Sequence, residues 1–489
     1  MKQKLYIVLH ILILVFLTTN SVKVFGQIPL DSIKSIIEKE VSNKRSKSII
    51  VGIVDANGRH IISIGVKNDV SKEKPDGNTI YEIGSIGKLF TALAMAEMNL
   101  KKELNYNDPI SKFLPKTVKT PVKNGKEISL LHLSTNRSGL PRVQYNLDPK
   151  NLDDPFADYT DAQLYEYISG FELNRDVNSK WQYSNVGYGL LGHILSLVAK
   201  KDYETLIKQK ICSPLQMKNT VVTFNSKKHS NYATGHSECG RPVKGWSGGT
   251  QTLAGAGAFR STTNDLLNFA AANLGITKTD LLPAMELSHI NQGKKDGNDG
   301  FVTMGWTIMS EDNQNILWKD GGTFGCRTFI GIDKKNKYGI VILSNADNPV
   351  TDIGLHIMDN TNEIKPYQYK WNLVDTLYNS IQLKGIDASV ALYHQLKKEN
   401  KGDFIFNPMQ LYHLGNELRK QKKISEAIKI FELNMSEYPK IPNVYESLGE
   451  IHKRNGNKKN AIQYFEKLVE IEPQNPRWAY LLNKLKSKN

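Results

Sequence analysis

Apolar positions fall along this chain in four distinct patterns. The first is a run. Lys2 and Lys4 precede Leu5 to Leu17, which is almost wholly apolar and broken only by His10, and Val24-Phe25-Gly26 follows after a polar stretch. A basic start, an apolar middle and a small residue at the end predict a signal peptide over 1–26, cut after Gly26. The run has 13 residues, short of the about 20 a membrane-spanning helix needs. The expected mature protein is periplasmic or secreted, without a membrane span. The second pattern is paired runs. Ser48 to Val54 and His60 to Val66 flank Ala56-Asn57-Gly58, which predicts a β-hairpin with the positive φ that Asn-Gly tolerates. Cys326 to Ile332 and Tyr338 to Leu343 flank the polar turn Asp333 to Lys337 and predict a second hairpin. The third is Thr91 to Leu100, rich in Ala, Leu and Met, which reads as a buried helix.

The fourth pattern repeats. Leu411-x-x-Leu414-Gly415 returns as Tyr445-x-x-Leu448-Gly449, an offset of 34 that also relates Ala427 to Ala461, Phe431 to Phe465 and Pro439 to Pro473. Period and pattern resemble tetratricopeptide (TPR) repeats. Alanine and phenylalanine four apart share a helix face; Ala lets paired helices approach, Phe fills the groove between units, and proline ends the second helix. Two repeats bury too little alone. Trp371 to Leu383 with Ile386 to Lys398 reads as a degenerate earlier pair, and Pro476 to Lys486 as a capping helix. Such a stack is either a groove for a partner protein or peptide, or a stabilising appendage.

Composition narrows the classes. The chain has 489 residues, 40% of them apolar and 9% aromatic, so it builds a substantial core. The net charge of +15 is diffuse, with no basic stripe interleaved with aromatics, which argues against a nucleic-acid partner. Three cysteines, Cys212, Cys239 and Cys326, are too few for a disulfide scaffold and lack zinc-site spacing.

Candidate chemistry lies in three elements. Ser85 and Lys88, in Gly84-Ser85-Ile86-Gly87-Lys88, are three apart and share one helix face. A lysine beside a hydroxyl can take its proton once burial or a second cation lowers the lysine pKa, the logic of S-x-x-K acyl-transfer enzymes. Ser71-x-x-Lys74 matches too, but lies in a polar loop. A phosphate-binding reading of Gly84 to Lys88 fails at Glu82 and Leu89. The second element is Tyr183-Ser184-Asn185, ahead of a glycine-rich apolar stretch; alone, it also suits a buried structural tyrosine. The third is Lys319-Asp320-Gly321-Gly322, whose glycines let a ligand approach a strand closely. Gly245-Trp246-Ser247-Gly248-Gly249 matches a G-x-S-x-G elbow but lacks the flanking strand and helix, and reads as a loop near the site.

In this order, the three elements resemble the serine β-lactamase and penicillin-binding-protein superfamily, most of all its class C β-lactamase and D-Ala-D-Ala carboxypeptidase branch with the related esterases. Ser138-Gly139-Leu140-Pro141, Ala254-Gly255-Ala256-Gly257 and Leu343-Ser344-Asn345 fit the same branch. The likeness covers about 28 to 350. It implies an α+β fold, an antiparallel sheet flanked by helices over 27–362, followed by an all-α solenoid over 363–489. It implies Ser85 as nucleophile, with Lys88 and Tyr183 sharing the proton work and lysines on both sides favouring the phenolate. Which of the two is the base stays open. It implies an oxyanion hole from the N–H groups of Ser85 and Gly322, a substrate amide on Asn185, a substrate carboxylate on Lys319 beside Gly321, and no metal or cofactor. The implied substrates are β-lactams, D-Ala-D-Ala peptides derived from peptidoglycan, or small esters. Two positions depart from the family: Asp320 stands in the middle of the Lys-x-Gly element, where an acid would weaken anion binding unless it points away, and Asn136-Arg137 precede Ser138 where relatives often carry histidine. The competing reading is a non-catalytic or penicillin-binding sensor that uses the repeats as a scaffold.

Overall fold

The computed structural model describes residues 29–224, 230–295, 300–399 and 402–487; the segment read as a signal peptide lies outside them. A seven-stranded antiparallel sheet is built from β1 (Ser48–Asp55), β2 (Gly58–Gly65), β3 (Phe301–Val302), β4 (Thr307–Ile308), β5 (Ile316–Gly322), β6 (Arg327–Asp333) and β7 (Tyr338–Ser344), in the order β2-β1-β7-β6-β5-β4-β3. The first and last strands of the domain therefore meet inside the sheet, one strand in from its β2 edge, where β1 lies beside β7. Every residue of β7 is buried, as an unbroken apolar strand covered on both faces must be.

The two faces carry separate cores. Behind the sheet, Ile49, Val51, Phe329, Ile340 and Ile342 pack on Ile33 and Ile37 of α1 (Leu30–Ser42) and Ile353 and Ile357 of α5 (Thr351–Met358). In front, Ile50, Leu317, Ile330 and Val341 join the larger core around α2 (Gly87–Leu100), α3 (Asn185–Ala199) and α4 (Thr263–Asn273). Alternation along each strand sorts side chains between the layers. α2 is buried nearly all round, as its Ala/Leu/Met composition predicts.

Both expected hairpins form, with one difference of detail. In the first, Asp55 pairs with Gly58 across Ala56-Asn57, and the positive φ falls on Gly58 (137°), not on Asn57. The Asp55 carboxylate accepts the N–H groups of Asn57 and Gly58, so an Asx turn replaces the Asn-Gly geometry.

The second unit is a stack of helices: α6 (Asn372–Lys384), α7 (Ile386–Glu399), α8 (Pro408–Lys420), α9 (Ile424–Glu437), α10 (Pro442–Arg454), α11 (Lys458–Ile471) and α12 (Pro476–Ser487). Ile364 still packs behind the sheet, whereas Trp371 belongs to the solenoid core. Within each repeat the phenylalanine ring lies on the glycine of its own helix pair: a Cβ on Gly415 would come within 2.6 Å of Phe431, and one on Gly449 within 3.1 Å of Phe465. Glycine thus gives the ring its seat inside the unit. Among the described residues no helix is long and apolar enough to cross a membrane.

Phe431 is fully buried, and its truncation leaves a cavity facing Gly415. Phe431→Ala is expected to cost about 3–5 kcal/mol, seen as a lower urea midpoint of the helical signal.

Candidate active site

Ser85 sits in a 3-10 turn, Gly84–Ile86, between a short strand (Ile80–Glu82) and α2. Three backbone approaches hold that turn. Ile83 donates its N–H to Phe259 and accepts from the Thr328 hydroxyl. A Cβ on Gly321 would lie 2.0 Å from the Ile83 carbonyl oxygen, and one on Gly257 2.5 Å from that of Gly84. Only glycine permits three main chains to meet here.

Lys88, in the first turn of α2, is fully buried. Its ammonium donates to Ser85 Oγ at 3.1 Å, to Asn185 Oδ1 at 2.9 Å and to the Ala256 carbonyl. Burial is the main reason its pKa falls to about 8; Tyr183 opposes that shift, and the charges of Lys319 and Arg142 add to it. Ser85 Oγ also lies 2.5 Å from Tyr183 Oη. The serine hydroxyl is therefore held from two sides by groups able to carry its proton.

Tyr183 is placed by its neighbours. The Asn136 carbonyl accepts the N–H of Gln182, and Asn136 Oδ1 accepts that of Ser184. Ser184 Oγ donates to Pro141 O and caps α3 by accepting from Gly187 N. Asn136 takes a left-handed φ of 57°, a conformation asparagine tolerates better than most residues. The residue that departs from the family pattern thus braces the tyrosine loop. Three cations surround the Tyr183 ring: Lys88 at 4.9 Å, Arg142 at 5.0 Å and Lys319 at 5.2 Å from its centroid. Arg142 was not singled out in the sequence; its only signal is that it follows Ser138-Gly139-Leu140-Pro141. Its carbonyl accepts the Asn185 N–H at 3.0 Å, tying it to the start of α3.

Lys319 is buried on the front of β5. It makes no hydrogen bond or ion pair among the described residues; burial lowers its pKa, Asp320 opposes that and Arg142 adds to it. Asp320 points to the opposite face, where its carboxylate accepts from the Thr351 hydroxyl at 3.2 Å. The departure at this position thus engages its carboxylate with Thr351, while Asp320 still borders the same hollow as Lys319. Gly321 packs on Ile83, and Gly322 reaches the cleft. Thr323 donates its N–H to Cys326, so by strand alternation the Gly322 N–H points away from β6.

Two hollows meet at Ser85 and Tyr183. The larger, about 700 Å³, is lined by Ser85, Asn185, Phe156, Trp246, Leu253 and Gly322. The smaller, about 430 Å³, is lined by Tyr183, Lys319, Lys295, Asp320, Asn136 and Trp181, among others. Trp246, next to Ser247, faces the larger hollow, whereas Ser247 donates its N–H to Asp154 and its hydroxyl accepts from Gly249. It forms part of a wall. All seven residues expected at the site converge on this one region.

A serine hydroxyl held between a buried lysine and a tyrosine, in a cleft at the front of an antiparallel sheet, defines a class: hydrolases that act by acyl transfer through serine. The chain belongs to the beta-lactamase family, whose model matches residues 33–357, and a tetratricopeptide repeat matches 442–475. It is similar to a beta-lactamase of Psychrobacter immobilis, 25% identical over 65% of this chain and 85% of that protein. It is also similar to the D-alanyl-D-alanine-carboxypeptidase/endopeptidase AmpH of Escherichia coli K12, 26% identical over 60% of this chain and 78% of that protein. Among solved structures, a beta-lactamase/D-alanine carboxypeptidase from Yersinia pestis superposes with TM-score 0.57 at 24% identity, over 68% of this chain and 98% of the other. A class C beta lactamase from Rhodobacter sphaeroides gives 0.58 at 19%, over 68% and 98%. The structural likenesses establish the fold, and the family makes the protein a hydrolase.

Asn136→Ala removes the acceptor for the Ser184 N–H and puts a less tolerant residue at positive φ. We expect a loss of about 1–3 kcal/mol in thermal melts and slower reaction with acyl donors, because Tyr183 loses its brace. Asn136→Asp keeps the acceptor and retains most of the stability.

Proposed function

We propose that this hydrolase works outside the cytoplasm through a Ser85 acyl-enzyme, on substrates with an apolar acyl part and a carboxylate on the leaving side, of the D-Ala-D-Ala-peptide or β-lactam kind. The observation that carries the reading is the pair of hollows around one hydroxyl. The larger, with Phe156, Trp246 and Leu253, suits the acyl group. The smaller brings Lys319 and Lys295 together beside Tyr183, with Arg142 on the tyrosine ring, and suits an anion. Simple esters lack the carboxylate that these cations would meet. The export part of the proposal rests on the pattern of residues 1–26.

In this scheme Lys88 is the base for attack. As a neutral amine it donates its two hydrogens to Ala256 O and Asn185 Oδ1, and its lone pair faces Ser85 Oγ. Ser85 Oγ then bonds to the substrate carbonyl carbon while its proton passes to Lys88. The N–H groups of Ser85 and Gly322 stabilise the oxyanion; losing one such donor typically costs about 3 kcal/mol. When the C–N bond breaks, the leaving nitrogen needs a proton. Lys88 is fully buried and opens on neither hollow, whereas Tyr183 lines the smaller one. Tyr183 delivers that proton and regains one from Lys88. Asn185, with its oxygen engaged by Lys88, offers its amide N–H groups to a substrate carbonyl. Water then cleaves the acyl ester.

A fluorescent penicillin and a D-Ala-D-Ala peptide test this. Mass spectrometry is expected to find the adduct on Ser85 and none in Ser85→Ala; an adduct elsewhere, or reaction in that variant, sinks the reading. The acylation rate is expected to depend on pH through Lys88. Below about 8 the neutral amine becomes scarcer tenfold per pH unit, so the rate climbs with pH and levels off above that midpoint. Lys88→Arg keeps the charge but supplies no lone pair. It should lose the rising limb and about 10²–10⁴-fold in rate.

A further inference from the structure

Among the described residues, the solenoid's polar contacts to the hydrolase domain come from the first helices of successive pairs, α6, α8 and α10, from the capping helix α12, and from Tyr369 just ahead of α6. Most of them converge on residues 147–153. Arg419 of α8 meets Asp153 at 2.8 Å. Lys453 of α10 meets Asp148 at 2.7 Å, and Arg454 donates to the carbonyls of Pro149 and Lys150, both at 2.5 Å. From α12, Lys484 meets Asp148 at 2.9 Å and Arg477 donates to the Leu147 carbonyl. The basic groups are held ready by acids of the solenoid: buried Glu450 pairs with Lys453 and Arg454 of its own helix, and Glu446 of α10 pairs with Arg477 of α12. Burial pushes the Asp148 carboxyl up, but Lys453 and Lys484 outweigh it and bring it down to about 2.

The gripped segment is both ends of a cleft wall. Just before it, Gln144 lines the larger hollow; just after it, Asp154, Phe156 and Ala157 do. Asp154 accepts the N–H of Ser247, and the Ala157 carbonyl accepts that of Thr250, so the wall continues into the Trp246 loop. Asn146 is fixed to Gln163 and Tyr159, Leu147 is buried in the front core and the Lys150 N–H bonds to Asp158; to these holds the solenoid adds the contacts named above. The first-helix face of the repeats is thus occupied by an acidic, proline-containing segment of the same chain.

We propose that the helical repeats act in cis as a positioning element of the active site: Arg419, Lys453, Arg454 and Arg477 hold the 147–153 segment so that its flanks form the acyl-side wall, and through it they set which acyl groups are accepted. The specificity part rests on the acyl-enzyme reading above, whereas the positioning part does not. Charge pairs across the junction are partly buried, where opposite charges couple more strongly than on an open surface. Loosening the clamp widens the wall without moving Ser85, Lys88 or Tyr183, which are anchored on other elements.

The test uses the full chain and three variants: Arg419→Asp, the milder Asp153→Asn, and the charge-swapped Arg419→Asp/Asp153→Arg. Amide hydrogen exchange follows residues 144–157 and 246–250. Acylation is compared for benzylpenicillin and for 6-aminopenicillanic acid, which has no acyl side chain. Both single variants are expected to exchange at least tenfold faster in these segments. They should lose at least tenfold in acylation by benzylpenicillin and less than threefold with the side-chain-free analogue, and the swap should restore both. Unchanged exchange in the folded variants overturns the positioning role. Accelerated exchange with equal loss for the two penicillins overturns the specificity role. If the unaltered protein reacts with no acyl donor, the acyl-enzyme reading falls, and the exchange data still decide whether the repeats hold the wall.

Discussion

A cation with no access to water sets the terms for the catalytic domain. The Lys88 ammonium is completely enclosed, and an enclosed charge is costly unless every hydrogen finds an acceptor. Its three acceptors come from three separate places: the turn before α2, the start of α3 and the segment preceding Gly257. Meeting that demand brings Ser85, Asn185 and Ala256 together. The same confinement moves the lysine pKa toward neutrality, so one constraint supplies both the geometry and the reactivity of the site.

Such convergence needs main chains to touch. Gly84, Gly257 and Gly321 stand where a Cβ would collide with a neighbouring backbone, and the strand carrying Lys319 can reach the serine turn for that reason. Strand alternation does the rest: Lys319 faces the cleft, and Asp320 turns to the rear layer and Thr351. The carboxylate of Asp320 is engaged by Thr351 on the rear face, yet it stays near enough to oppose the fall in the Lys319 pKa.

The repeats illustrate a different economy. Short helix pairs bury their apolar faces on one another, leaving the first helices with rows of lysine and arginine oriented by neighbouring glutamates. A row of preorganised cations seeks acids and carbonyls, and the hydrolase domain offers both in its 147–153 loop. The catalytic unit and the solenoid are joined by charge at a point that leads directly into the cleft wall.

Periodicity and local spacing were enough to determine the hairpins, the buried helix and the 34-residue repeat, because each depends on residues close together in the chain; the elements holding Ser85, Lys88, Tyr183, Asn185, Lys319, Gly321 and Gly322 were each weak alone and stood out through their order and its resemblance to a known family. The first hairpin's turn differed in detail because a carboxylate one position earlier captured its N–H groups. The roles of Arg142 and Asn136 at Tyr183 were not readable locally, since each acts on that residue from a distant part of the chain. Which side of the sheet Asp320 faces in relation to the site, which carbonyl holds Lys88, and what lies on the first helices of the solenoid were decided only when distant segments packed. Those are properties of contacts between elements, and spacing along the chain does not carry them.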